Sequence, residues 1–107
     1  MSQLILTTTE VVPGREITEI IGVARGSTVR SRNIGRDITA MFKNIVGGEL
    51  SEYTALQAAA REQALQRMVD DAEAHGADAV VGVRITTAMV TQGAAEILAY
   101  GTAVKLS

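Results

Sequence analysis

Residues 51–90, with the sequence SEYTALQAAAREQALQRMVDDAEAHGADAVVGVRITTAMV, determine the fold, because a helical pattern is followed here by a strand pattern. Ser51 is a favourable N-cap residue, Glu52 places a negative charge in the first turn, and Gly76 is a favourable stop. Small or apolar side chains recur every four residues, at Leu56, Ala60, Ala64, Met68 and Ala72. This spacing predicts one long helix whose small side chains let it lie close to a sheet or to another helix.

The end of the chain has the pattern of a β-hairpin. Apolar residues alternate from Ala79 to Val90 and again from Ala95 to Leu106, and Thr91-Gln92-Gly93-Ala94 forms the turn between them. Strict alternation places Val81, Val83, Ile85, Thr87 and Met89 on one face, and Val80, Gly82, Arg84, Thr86 and Ala88 on the other.

A long strand is also predicted near the start of the chain, from Glu16 to Val29, after a short first strand and a turn at Pro13-Gly14. Alternation places Ile17, Glu19, Ile21, Val23 and Arg25 on one face. Apolar residues occur on both faces, which predicts a strand covered on each side. Gly22 and Gly26 share the other face, which indicates a bulge or a close contact with another backbone.

A second amphipathic helix is predicted for residues 32–46, where the glycines at Gly47-Gly48 end the pattern. The order β, β, α, α, β, β predicts an α+β two-layer domain over residues 1–107. One long helix covers one face of such a sheet. We therefore expect exposed apolar sheet surface and self-association.

Composition excludes several classes of function. The chain has 107 residues and no cysteine, which excludes zinc fingers, iron–sulfur clusters, thiol nucleophiles and a disulfide scaffold. The net charge of −2 argues against a nucleic-acid partner. The first residues lack a signal-peptide pattern, and no apolar run approaches the roughly 20 residues that span a bilayer. We expect a cytoplasmic protein without membrane or nucleic-acid partners.

Catalytic and metal-binding residues are sparse. Glu49 and Glu52 beside Tyr53 could act as acid and base, but acidic residues at a helix start more often stabilise its dipole. His75, the only histidine, has carboxylates nearby, yet its position before Gly76 favours a cation at a helix C-terminus over a metal ligand. We expect no enzyme activity, no cofactor and no metal site.

Charge is segregated along the chain. Residues 25–43 contain five basic residues and one acidic residue, whereas residues 49–78 contain seven acidic residues and two arginines. Two interpretations are an anion-binding or RNA-binding surface and two complementary faces that meet between helices or subunits. Because stacking aromatics are scarce, we favour the second.

Several blocks, in order and over almost the whole chain, resemble the YbjQ family, a set of small bacterial proteins often labelled "putative heavy-metal-binding". They are Thr7-Thr8-Thr9 with Pro13-Gly14, Ile21-Gly22-Val23-Ala24-Arg25-Gly26, Asp37-Ile38, Ile45-Val46-Gly47-Gly48-Glu49 with Tyr53, Ala60-Arg61-Glu62, Gly76-Ala77-Asp78-Ala79-Val80-Val81-Gly82-Val83, and Gly101-Thr102-Ala103-Val104. The resemblance implies a β-α-β-β, dodecin-like subunit with an antiparallel sheet packed on one long helix. It also implies assembly into a ring, a pentamer or a stacked decamer.

The resemblance supplies no reaction, because the family is essentially uncharacterised. Some members place carboxylates after the Gly-Ala-Asp-Ala block, where this chain has Arg84-Ile85-Thr86-Thr87-Ala88. By motif, the candidate ligand-binding residues are Arg25, Gly47, Gly48, Glu49, Tyr53 and Arg61.

The leading hypothesis is a cytoplasmic homo-oligomeric ring that serves as a binding or scaffold module. The alternative is a metal or small-anion site at subunit interfaces, formed by Glu49 and Tyr53 or by the basic residues. A third hypothesis is an enzyme with Glu49 as base and Tyr53 as acid.

Overall fold

The computed structural model describes residues 3–31, 51–91 and 94–107. Its elements are β1 (Ile5–Leu6), β2 (Ile17–Ser31), α1 (Ser51–Ala74), β3 (Ala79–Thr91) and β4 (Ala94–Leu106). The three long strands and the long helix that the patterns predicted are confirmed. The predicted helix at 32–46 and the turn residues Gln92 and Gly93 lie outside the described residues.

The four strands form one sheet in the order β1-β3-β4-β2. Strand β4 is antiparallel to both of its neighbours, β2 and β3, whereas the short β1 runs parallel to β3. Backbone bonds attach β1, because the N–H groups of Ile5 and Thr7 donate to the carbonyls of Asp78 and Val80, each at 3.1 Å. The α+β class is confirmed, with a mixed sheet where a wholly antiparallel one was expected.

Helix α1 packs on one face of the sheet, here called the helix face. The buried core between them is built from small and aliphatic side chains, among which Met68, Val80 and Ala64 are completely buried. Gly26 gives the closest approach, because a β-carbon there would collide with the main-chain nitrogen of Met68. The expected backbone contact is confirmed at Gly26, and the expected bulge lies at Gly22, next to a register shift.

The opposite face, here called the open face, is only partly covered. At one end the N-terminal segment places Val12 against a second cluster of Ala79, Val81, Val104 and Leu106. Further along the sheet, Val23 is 69% exposed and Val29 is 56% exposed. The expectation that β2 is covered on both sides is wrong for the described chain, because α1 covers one face only.

β-Bulges change which residues share a face. Val81 pairs with Thr102 and Arg84 pairs with Tyr100, so Gly82 and Val83 together oppose a single residue of β4. Gly82 adopts φ +63°, a conformation that favours glycine. The prediction that Val81 and Val83 share a face is therefore wrong, because Val83 packs in the helix-face core and Val81 in the open-face cluster.

A corresponding shift between Ile20 and Gly22 separates two residues of β2 that alternation placed together. Ile21 packs against the helix-face core, whereas Val23 is exposed on the open face. In each strand the extra residue at the bulge reverses the alternation beyond it.

No helix in the described ranges is long and apolar enough to cross a membrane.

Candidate functional site

The structure describes the side chains of two motif-derived candidates, Arg25 and Arg61, and these two lie on different elements. Arg61 is exposed on α1, while Arg25 is exposed on β2 between two residues that face the helix, so its side chain rises from the open face. Tyr53 lies in the first turn of α1. Gly47, Gly48 and Glu49 lie outside the described residues, so their predicted role stays a prediction.

His75 lies at the end of α1, where its position before Gly76 placed it, and its expected role as a cation there stays a prediction. Its Nδ1 lies 2.8 Å from the main-chain oxygen of Asp71 and 3.7 Å from the Asp71 carboxylate, at the C-terminal end of α1. The imidazole therefore contacts the last turn of its own helix. This contact uses one ring nitrogen for the helix end.

Side chains that could bind a metal are dispersed over the part of the chain that the structure describes. No group of three or more His, Cys, Asp or Glu side chains converges there. The whole sequence contains no cysteine and one histidine, whereas soft metals prefer thiolate and imidazole ligands. The described donor set does not fit a heavy metal.

A shallow cavity of about 190 Å³ lies where the N-terminal segment meets the end of α1, lined by Gln3, Leu4, Glu73, Gly76, Ala77 and Asp78. The Asp78 carboxylate accepts the N–H of Leu106 at 2.9 Å, and the Asp78 N–H donates to the carbonyl of Val104 at 2.9 Å. Asp78 therefore links the connection between α1 and β3 to strand β4.

Other motif residues also have structural roles. Gly76, at φ +78°, ends α1 in a left-handed conformation. The segment of Thr7, Thr8 and Thr9 pairs with the bulge in β3, because Gly82 and Val83 donate to the carbonyls of Thr9 and Thr7 at 2.8 and 3.0 Å. These two blocks thus maintain one local structure, the bulge and the segment beside it.

Side chains of α1 cap the outer edge of β2. The Asp71 carboxylate accepts the backbone N–H of Arg25 at 3.1 Å, and the Arg67 guanidinium donates to the carbonyl of Ser27 at 2.6 Å. Unpaired backbone groups at a sheet edge invite another strand. Arg67 and Asp71 therefore block strand addition at this part of β2.

Three polar side chains form a row across the open face. Arg25 pairs with Tyr100 on β4, and Tyr100 pairs with Arg84 on β3. Neighbouring strands lie about 4.8 Å apart, so the two arginine Cα atoms are about 10 Å apart with Tyr100 between them. We call this set the Arg25–Tyr100–Arg84 row.

Arg84 is held in place by hydrogen bonds, whereas the Arg25 side chain makes no hydrogen bond or ion pair among the described residues. Nη1 of Arg84 donates to the carbonyls of Thr8 and Val83, at 3.1 and 2.9 Å. These bonds leave Nε and Nη2 of Arg84 available. Across the described ranges the one ion pair joins His75 to Asp71, so neither arginine of the row is neutralised by a carboxylate there.

Alternation placed Arg25 correctly on the face of Val23 but wrongly on the face of Ile21, and it placed Arg84 on the wrong face of β3. Without a bulge, Arg84 would lie on the face of Val80, which packs beneath α1. The glycine at position 82 was the available signal, because an isolated glycine within a strand pattern often marks a bulge.

The far end of β3 has an open edge and exposed apolar side chains. Strand β1 pairs with Ala79 and Val80 only, and the N–H of Val83 bonds Thr7. Beyond that point, among the residues described, the outer edge of β3 has no strand partner. Ile85 is 41% exposed and Met89 is 74% exposed, so apolar surface flanks this edge.

Comparisons with known proteins agree over nearly the whole chain. The YbjQ family model, described as "Putative heavy-metal-binding", matches residues 4–107. A UPF0145 protein of Methanosarcina acetivorans is 55% identical over 96% of this chain and 97% of that protein. A UPF0145 protein of Archaeoglobus fulgidus is 58% identical over 97% and 96%, and one of Vibrio campbellii is 57% identical over 96% and 99%.

A solved structure shares the fold at low sequence identity. A protein of unknown function from the DUF74 family of Pediococcus pentosaceus aligns with a TM-score of 0.60, 16% identity, and coverage of 97% of this chain and 98% of that one. Together with the family match at residues 4–107 and relatives above 50% identity, the fold and the motif positions lead to one assignment: the chain belongs to the YbjQ family.

Proposed function

We propose that the protein works as a cytoplasmic homo-oligomeric ring, pentameric or decameric, that serves as a binding or scaffold module. The observation that supports it is the outer edge of β3 beyond Val83. In the described chain this edge lacks a strand partner, and it presents Met89 with 74% of its surface exposed.

Backbone geometry favours a second strand as the occupant of this edge. The N–H of Val83 points outward to Thr7, and outward groups repeat every second residue, so those of Ile85 and Thr87 point to the same side. Unpaired outward N–H and C=O groups are a template for another strand. Exposed Ile85 and Met89 add apolar area to the same contact.

A second copy of the chain can offer its β2 edge to this surface. In β2 the caps from α1 lie at Arg25 and Ser27, and the strand continues beyond them to Ser31. A β3 edge against a β2 edge is a contact between two different surfaces. Contacts of this head-to-tail kind produce a ring when the rotation between subunits closes.

Size-exclusion chromatography with multi-angle light scattering tests the proposal. We expect the wild type to have the mass of a closed oligomer and Met89→Lys to dissociate, because the contact would then bury a charge. Thr87→Pro should also dissociate the ring, since proline removes an outward N–H that the subunit itself does not use.

Ala59→Lys is the matched control, because Ala59 is exposed on α1 and the charge added is the same. It should leave the mass unchanged. A wild type that is monomeric at micromolar concentration, or a loss of mass in Ala59→Lys equal to that in Met89→Lys, contradicts the proposal. Circular dichroism on each variant separates dissociation from unfolding.

A further inference from the structure

Within the Arg25–Tyr100–Arg84 row, Arg84 bonds main-chain carbonyls of its own subunit, whereas the Arg25 side chain has no hydrogen-bond or ion-pair partner among the described residues. Two other arginines in the described ranges donate to main-chain carbonyl oxygens. Arg67 donates to the carbonyl of Ser27, and Nε of Arg15 donates to the carbonyl of Ser107 at 2.7 Å. The side chain of Arg25 makes no such bond within the described ranges. Its backbone N–H alone is engaged, by Asp71.

The strand positions on either side of the row hold uncharged residues. On one side the next cross-strand positions are Val23, Thr102 and Val81, and on the other side they are Ser27, Leu98 and Thr86. Two guanidinium groups on one sheet face, two strands apart and with no carboxylate at the neighbouring strand positions, give the surface between them a positive potential. An anion bound there would be attracted by this potential and would form charge-assisted hydrogen bonds.

Arg84 is also positioned in advance. Its two bonds to the carbonyls of Thr8 and Val83 restrain the guanidinium, so less side-chain freedom is lost when a ligand binds. The bulge at Gly82 makes these two bonds possible. It places Arg84 on the open face and holds the Thr7–Thr9 segment beside β3.

We propose that the Arg25–Tyr100–Arg84 row binds a small oxyanion of the phosphate class. A tetrahedral phosphate has enough oxygens to accept the forked donors of both arginines and the hydroxyl of Tyr100, whereas one carboxylate is filled by a single bidentate guanidinium. Tyr100 is 37% exposed, so its ring and hydroxyl are accessible from the open face. The site lies within one subunit and does not depend on the ring.

Isothermal titration calorimetry with inorganic phosphate tests this site, with ionic strength held constant by sodium chloride. We expect saturable binding of phosphate that acetate at the same concentrations does not reproduce. Arg25→Gln should weaken binding about tenfold, the usual size of one lost charge-assisted contact, without affecting the fold, because its exposed side chain makes no hydrogen bond or ion pair among the described residues. Arg84→Gln should weaken it at least as much, and Tyr100→Phe should weaken it less.

Lys105→Gln is the control, because it removes the same charge from an exposed position on β4 outside the row. It should leave phosphate binding unchanged. Equal weakening by Lys105→Gln and Arg25→Gln, equal affinity for acetate and phosphate, or no saturable binding of phosphate overturns the proposal. Light scattering on the same samples reports assembly separately, so a failure of this site and a failure of the ring are distinguishable.

Discussion

Gly26 lies directly beneath Met68, so close that a β-carbon on Gly26 would collide with the main-chain nitrogen of Met68. The same β-carbon would meet the main-chain oxygen of Ala64 and lie 2.7 Å from the carbonyl carbon of Arg67. The backbone of α1 therefore rests on the backbone of β2. This approach explains why alanine recurs on the buried side of the helix, where larger side chains would hold the two elements apart.

Gly26→Ala should lower the free energy of unfolding by about 3 kcal/mol, because the colliding atoms are backbone and cannot rotate away. Urea denaturation followed by circular dichroism measures this change. Ser27→Ala, the neighbouring position whose hydroxyl makes no hydrogen bond in the described chain, should stay within about 0.5 kcal/mol of wild type. Equal stability of Gly26→Ala and wild type would show that α1 does not approach β2 so closely.

Gly82→Ala should cost about 1 kcal/mol for a different reason. A β-carbon at Gly82 meets no atom within 4 Å, but φ is +63°, which L-residues with a β-carbon adopt only with strain. Gly82→Asn should cost less than Gly82→Ala, because asparagine tolerates the left-handed region. Thermal unfolding compares the two variants, and the reverse order would contradict the bulge geometry.

Asp71→Ala should destabilise the protein by about 1 kcal/mol, because the backbone N–H of Arg25 loses its acceptor at the edge of β2. Asp71→Asn keeps an oxygen at this position and should cost less. Asp70→Ala is the matched control: it breaks only an exposed bond from Gln66, worth about 0.3 kcal/mol. Urea denaturation would refute the capping role if Asp70→Ala and Asp71→Ala had equal effects.

Amide hydrogen exchange should distinguish the two sides of β3. Thr86 donates toward β4 by alternation from Val83, so its amide should be protected in both wild type and Met89→Lys. The outward amides of Ile85 and Thr87 should be protected in the oligomer and exchange at least about tenfold faster in Met89→Lys. Fast exchange at Ile85 and Thr87 in the wild-type oligomer would place the subunit contact elsewhere.

The main elements could be predicted from the sequence because their signals are local. Ser51 and Gly76 bracket a helix whose described part ends at Ala74, and alternation predicted the hairpin of β3 and β4 to within a residue or two. The glycines of β2 predicted a bulge or a close backbone contact, because glycine has no β-carbon to restrict φ or to hold another backbone away. Self-association remains a prediction from the exposed apolar surface.

The Arg25–Tyr100–Arg84 row could not be predicted from the sequence, because it depends on the register between strands and not on the spacing of residues along the chain. Alternation counts one residue for each step of a strand, and the bulge at Gly82 adds one residue that β4 does not match. The positions of β3 from Arg84 to Met89, before a second register shift, consequently change face. The candidates Arg25 and Arg61 both come from family motifs but lie on different elements, β2 and α1. Arg25 and Arg84 share no motif and lie in one row.

The sequence by itself therefore determined the helix, the strands, the hairpin and the exclusion of thiol chemistry, because propensity, capping and composition act within a few residues. Only the tertiary structure decided which side chains meet: Asp71 at the β2 edge, Thr8 at Arg84, and Tyr100 between two arginines. Those neighbours are set by strand register and by the depth at which α1 rests on Gly26, and both are properties of the packed chain.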